Sequence, residues 1–359
     1  MKNLFSAVLL VAGIAGGTAT VSAKAADELH LYNWNNYIAP ETVQRFEAFC
    51  QCKVIQTYYG DNEEMLAKLA AGAKGYDIIV PTGNALDALI QQKALKPLDK
   101  AQLPNLKNIH PTYLNTAFDK GNQYSVPYAY TVTLLGYNEQ KIKELGIPVD
   151  SWATIFDPAI LAKIKGKVTV LDSANELIAA ALKYRGYSAN DTDEKHWEEA
   201  KNVILRAKPF WAAFNGTSYI KELTVGNVWV VHGYSSDIFQ ADVDAQKAAR
   251  KFRIRAALPK EGAVLALDSM VIHKDAPRPD LALKFMNFMM EGKNAAELTN
   301  LIGTGNPNAD AAQYIKPEIA SNPAIFPPKN VVSKLEMLKD LNGKQRRTLN
   351  RLWTEIRAR

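Results

Sequence analysis

Three carboxylates, Glu176, Asp237 and Asp268, are the side chains of this 359-residue sequence whose placement best suits chemistry. Glu176 closes the stretch Asp172-Ser173-Ala174-Asn175-Glu176, and Asp237 closes His232-Gly233-Tyr234-Ser235-Ser236-Asp237. Each stretch follows a β-like run and opens a helical pattern. Such acids can work as general acid and base beside an activated nucleophile. No nucleophile motif accompanies them: the chain has no G-x-S-x-G elbow, P-loop, H-E-x-x-H or C-x-x-C. Gly303-Thr304-Gly305 lacks the third glycine of a dinucleotide fingerprint and reads as a loop. His30, His110, His196, His232 and His273 show no paired metal-ligand spacing, and only His232 falls at an expected strand end facing a cleft. The acids therefore read as ligand contacts in a protein that is not an enzyme and uses no metal or cofactor.

The elements that must position them alternate. Leu29 to Trp34 reads as a strand, Pro40 opens an amphipathic helix with Val43, Phe46 and Phe49, and Lys53 to Tyr59 is β-like. A helix over 62–71 starts behind Asp61, with Glu63 and Glu64 where the helix dipole favours acids. Tyr76 to Val80 reads as a buried strand ending at Pro81-Thr82-Gly83-Asn84. A long β-like run over 124–138 can carry the chain from one lobe into another. Further strands are expected over 167–171, 227–231, 253–258 and 264–272, the last returning to the first lobe. Alternation predicts an α/β protein with parallel strands, two lobes and a cleft between them. In such sheets ligands gather beyond the carboxyl ends of strands, which here carry Trp34-Asn35-Asn36-Tyr37 and Thr82-Gly83-Asn84.

Composition narrows the function classes. With 47% hydrophobic and 22% charged residues, the chain is a globular protein of about two domains. Residues 1–25 combine Lys2, an apolar run from Leu4 to Ala15 and Ala23-Lys24-Ala25, the pattern of a cleaved export signal. The net charge of +6 is mild. Its densest basic stretch, from Lys344 to Arg359, carries Leu349, Leu352, Trp353 and Ile356 at helical spacing. That describes a docked amphipathic helix rather than a nucleic-acid surface. Cys50 and Cys52 enclose one residue, so two free thiols and a labile bridge both stay open.

Leu31-Tyr32-Asn33-Trp34-Asn35-Asn36-Tyr37-Ile38-Ala39-Pro40, Tyr76-Asp77-Ile78-Ile79-Val80-Pro81, Ser151-Trp152, Pro259-Lys260-Glu261-Gly262 and Asn306-Pro307-Asn308 resemble the periplasmic spermidine/putrescine-binding proteins of ABC importers, in order and over essentially the whole exported chain. The resemblance implies a bilobal type II periplasmic-binding-protein fold of two discontinuous α/β lobes. Residues 26–134 with 266–308 would form the N-terminal lobe, and 135–265 with 309–359 the C-terminal lobe. It implies a monomer in the periplasm that captures a small cationic amine and delivers it to an inner-membrane permease, with no nucleic-acid partner. Trp34, Tyr37, Thr82, Glu176, Asp237 and Asp268 match the family's cleft positions, and Tyr234 stands at a tryptophan position. A polyamine needs aromatic walls for its methylenes and carboxylates for its ammonium ends.

The departures shape the ligand. Asn36 stands at a position usually acidic, Asn84 and Ser173 at positions that can be aromatic and acidic, Ala266 at one usually aromatic, and Thr304 at one often tyrosine. Three remaining acids suit a diamine such as putrescine better than spermidine. An ω-amino acid such as 4-aminobutyrate is the alternative ligand, and presentation to a chemoreceptor the alternative role. Each residue also has a plainer use: packing for Trp34, Tyr37 and Tyr234, a first-turn helix acid for Glu176, surface ion pairs for Asp237 and Asp268, and helix caps for Asn84 and Ser173.

Overall fold

The computed structural model describes residues 27–358. The expected export signal lies outside the described residues. Nine strands make one mixed sheet: β1 (Asp27–Trp34), β2 (Cys52–Tyr59), β3 (Ile78–Ile79), β4 (Ser125–Asn138), β5 (Val168–Val170), β6 (Ala213–Phe214), β7 (Val230–Tyr234), β8 (Ile254–Ala257) and β9 (Leu265–Ile272). Their order is β2-β1-β3-β9-β4-β7-β5-β6, with β8 paired to β4. Among the described residues the helices of nine or more residues are α1 (Pro40–Cys50), α2 (Asn62–Ala70), α3 (Gly83–Gln91), α4 (Ala174–Tyr184), α5 (Glu194–Ala207), α6 (Ser235–Lys247), α7 (Pro279–Met289), α8 (Gly292–Ile302) and α9 (Gly343–Ala358). None of the helices is long and apolar enough to cross a membrane.

The chain is bilobal because one strand, β4, serves both halves of this sheet. Residues 125–132 of β4 pair with β9, while 133–138 pair with β7 and β8. The expectation of parallel strands holds within each lobe, where β1 joins β2 and β3, and β5 joins β6 and β7. It fails around the two crossing strands: β4 runs antiparallel to β7, β8 and β9, and β9 to β3. A chain that leaves a lobe along one strand and returns along its neighbour must reverse direction. The run expected over 227–231 is displaced to Val230–Tyr234, because His232 and Gly233 find backbone partners in Leu135 and Leu134. Around β3 only Ile78 and Ile79 pair as strand. Asp77 instead accepts the backbone N–H groups of His30 and Arg278, at 2.8 and 2.6 Å.

Adjacent residues of the N-terminal sheet alternate between two cores. Leu31, Ile78 and Met270 face Phe46 and Phe285, and Tyr32, Ile79 and Val271 face Met65 and Leu86. A third core fills the other lobe, where Leu134, Val168 and Val230 meet Leu177, Trp197 and Leu352. Helix α9 docks through Leu349, Leu352 and Ile356 as its periodicity predicts, and Trp353 packs edge-on against Phe214. Cys50 and Cys52 form a disulfide, their Cα atoms 5.2 Å apart, with Gln51 between them in the left-handed region.

Gly305 ties the loop after α8 to the shared strand. Its N–H and C=O bond to Tyr130 at 2.8 and 3.1 Å, and the Tyr130 ring, stacked on Tyr113 with centroids 5.0 Å apart, fills the space a Cβ would need. Gly305→Ala should therefore destabilise the protein by about 1–3 kcal/mol, the cost of overpacking a filled site. Urea unfolding measures it, and an unchanged midpoint would mean that the ring moves aside freely.

Candidate functional site

The N-terminal half of the site is built around Asp268. This residue sits in β9 opposite Ala129 of β4, and makes an isolated bridge to Thr82 on its other side. Its carboxylate accepts from the Tyr37 hydroxyl at 2.7 Å and the Thr82 hydroxyl at 2.6 Å. Both donors come from the strand ends singled out in the sequence. Tyr37 is itself held: its carbonyl accepts from the Tyr128 hydroxyl at 2.7 Å and the Asn33 amide at 3.2 Å. Trp34 donates its indole N–H to Val80 O at 2.9 Å and packs on Tyr59, which donates to the same carbonyl.

The C-terminal half uses two helix starts. Ser173 caps α4 by accepting from the N–H of Glu176 at 3.4 Å. That leaves the Glu176 carboxylate free to turn toward the shared strand, where Thr133 donates to it at 2.7 Å. Asp237 lies in the first turn of α6 and accepts from the Tyr219 hydroxyl and from Ser236. The Tyr219 hydroxyl also accepts from the N–H of Tyr234, the residue that ends β7.

Burial governs the electrostatics. It pushes the Glu176 carboxyl up to about 7, with the Thr133 bond opposing, and Asp268 up to about 6, with Thr82 and Tyr37 opposing. Asp237, half-buried, is raised for the same reason. Among the described residues no lysine or arginine acts on any of the three, so neither Asp237 nor Asp268 forms the surface ion pair that was their plainer reading. The Tyr234 phenol is held well above its ordinary value by burial and then by Glu176, Asp237, Asp268 and Glu63. Acids presented by α2, α4, α6 and β9 thus all raise this one phenol.

Other expected positions fare differently. Asn36 is exposed, in the left-handed region at φ 55°, and Asn84 is half-buried. Neither makes a hydrogen bond to the acids. Asn84 is not a cap, because Thr82 holds the N-cap position of α3, and Thr82 turns its hydroxyl to Asp268 instead of to the helix. His232 does not face the cleft. It is buried within β7 against Trp152, its Nδ1 accepting from the N–H of Leu171, and burial drops it to about 3. Thr304 is fully buried. Thr133, Tyr128, Tyr219 and Glu63 escaped the sequence reading. Only Glu63 had a signal, as a helix-start acid, and that signal pointed to the dipole. Among the described residues no cluster of three or more His, Cys, Asp or Glu could hold a metal.

Residues 41–327 match the family model for bacterial extracellular solute-binding proteins. The chain is 57% identical, over the full length of both, to the putrescine/cadaverine-binding protein of Pseudomonas aeruginosa. It is 37% identical, again over the full length of both, to the putrescine-binding periplasmic protein SpuD of that species. The solved structure of the spermidine/putrescine ABC transporter substrate-binding protein PotD from Streptococcus pneumoniae superposes with a TM-score of 0.84 at 26% identity, covering 93% of this chain and 99% of that one.

A carboxyl raised by folding binds protons more tightly in the native state, so its contribution is full below its ordinary value and is lost as pH rises through the native one. For Glu176 that window runs from 4.5 to about 7. Buried neutral His232 acts in the opposite sense below 6.5, so the group is isolated by comparing variants. Relative to wild type, Glu176→Gln should gain on the order of 3 kcal/mol between pH 4.5 and pH 8 in the ligand-free protein. Urea titrations at both pH values give the difference. A pH-independent difference would mean that Glu176 titrates as an ordinary acid.

Proposed function

The chain belongs to the family of bacterial extracellular solute-binding proteins, and we propose that it captures a short diamine, putrescine or cadaverine, in the periplasm and delivers it unaltered to an ABC importer's permease. One observation carries the ligand. Glu176, Asp237 and Asp268 all act on the Tyr234 phenol, and no cation acts on them among the described residues, which supports reading them as one site between the lobes. Removing an ionised carboxylate from water costs several kcal/mol unless a counter-charge replaces the hydration. Three such groups together suit a cation that arrives from outside, and a diamine brings two.

Trp34, Tyr37 and Tyr234 provide aromatic faces for the methylenes and ammonium heads. Thr82 acts by fixing Asp268, and Ser173 by capping the helix that presents Glu176. Asn36 and Asn84 are peripheral amide contacts. The carboxylate of 4-aminobutyrate would meet these acids with no cation to balance it, which favours the diamine. The names of the two Pseudomonas relatives support the same class. In this reading the protein is a monomer, with lobes of 26–134 plus 266–308 and of 135–265 plus 309–359.

Calorimetry with putrescine, cadaverine, spermidine, agmatine and 4-aminobutyrate should show the two short diamines binding tightest. Preference for 4-aminobutyrate, or silence with every amine, would end the proposal. Asp237→Ala or Asp268→Ala should weaken putrescine binding by about 2–5 kcal/mol, since each leaves an ammonium without its partner.

The pH dependence of binding has a definite sign. An ammonium favours the ionised form of carboxyls that the free protein holds partly protonated, so binding expels protons. Putrescine affinity should rise from about pH 5.5 to pH 8, with proton release visible as a buffer-dependent heat. Equal affinity at both ends of that range would remove these acids from the contact.

A further inference from the structure

The first turn of α2 carries Asp61, Glu63 and Glu64, and two of the three serve the helix itself. Asp61 accepts from the N–H of Glu64, and Glu64 accepts from the N–H of Gly60, both at 2.7 Å. Glu63 is exposed and has no hydrogen bond or ion pair among the described residues. The residue before it, Asn62, accepts from the N–H of Thr82 at 3.3 Å, and Thr82 donates to Asp268. This chain of bonds places the start of α2 beside the N-terminal half of the site. The field of Glu63 reaches the Tyr234 ring on the opposite lobe, together with the fields of Glu176, Asp237 and Asp268. Of these four acids Glu63 alone is exposed.

We propose that Glu63 is the rim acid that draws the cationic ligand into the cleft, setting the rate of association rather than the lifetime of the complex; this rests on the diamine reading. Without Lys2 and Lys24 of the expected export signal, the net charge of +6 falls by two to +4, still positive, so the long-range field of the exported chain opposes an approaching dication. A negative charge at the mouth reverses that field locally. An exposed charge is screened by salt and adds little to a finished contact, whereas a buried one governs dissociation.

Stopped-flow mixing of putrescine with the full exported chain, following intrinsic fluorescence, tests the division. At low ionic strength Glu63→Gln should slow association about two- to fivefold and leave dissociation unchanged, and the difference should vanish at high salt. Glu64→Gln makes the same charge change one residue away and should associate as wild type does. Equal slowing by both variants would reduce the effect to net charge. Wild-type association in Glu63→Gln, or faster dissociation, would overturn the rim role while leaving the diamine reading intact. Failure of the wild type to bind any diamine would remove both.

Discussion

An ionised carboxylate stripped of water needs hydrogen bonds for its lone pairs and a compensating charge, and among the described residues Glu176, Asp237 and Asp268 have the first without the second. Tyr37 and Thr82 serve Asp268, Thr133 serves Glu176, and Tyr219 serves Asp237. Every one of these donors is a neutral hydroxyl. A lysine or arginine in their place would satisfy the same oxygens and cancel the charge as well. Hydroxyl donors orient each acid while its charge stays uncompensated, and burial then pushes the carboxyls upward.

The supporting groups explain how the arrangement stays rigid. Tyr37 can aim at Asp268 because Tyr128 and Asn33 fix its carbonyl, and Trp34 is pinned through Val80. Ser173 occupies the backbone N–H at the start of α4, so the Glu176 carboxylate is not drawn back to its own helix. Helix caps and strand ends thus hold the functional side chains by satisfying the backbone around them.

Much of this was legible in the sequence, and the gaps share a physical cause. Strands and amphipathic helices follow from local periodicity, so β1, β2, β4, α2 and α9 fall where expected. Asp268 was legible because the nearby Pro259-Lys260-Glu261-Gly262, part of the family resemblance, fixes its register. Thr133 was not, because a threonine in a β-branched run is ordinary until the fold brings Glu176 to it across 43 residues. Tyr219 is likewise an unremarkable helical tyrosine until α6 places Asp237 against it. His232 was misjudged because β7 runs past the polar cluster once β4 offers it partners, which turns the ring into the core. Direction within the sheet escaped for a related reason: periodicity reports which face is buried, not which way a neighbouring strand runs.

The shared strand also bears on how the protein comes apart. The step from Val132 to Thr133 is where one ladder ends and the other begins, so each lobe keeps its own stretch of β4 and the strand pairs that go with it. Melting of one half therefore removes no strand partner from the other. With its own apolar interior and its own share of the crossing strand, each lobe can open at a different point on denaturation, as a separate cooperative unit.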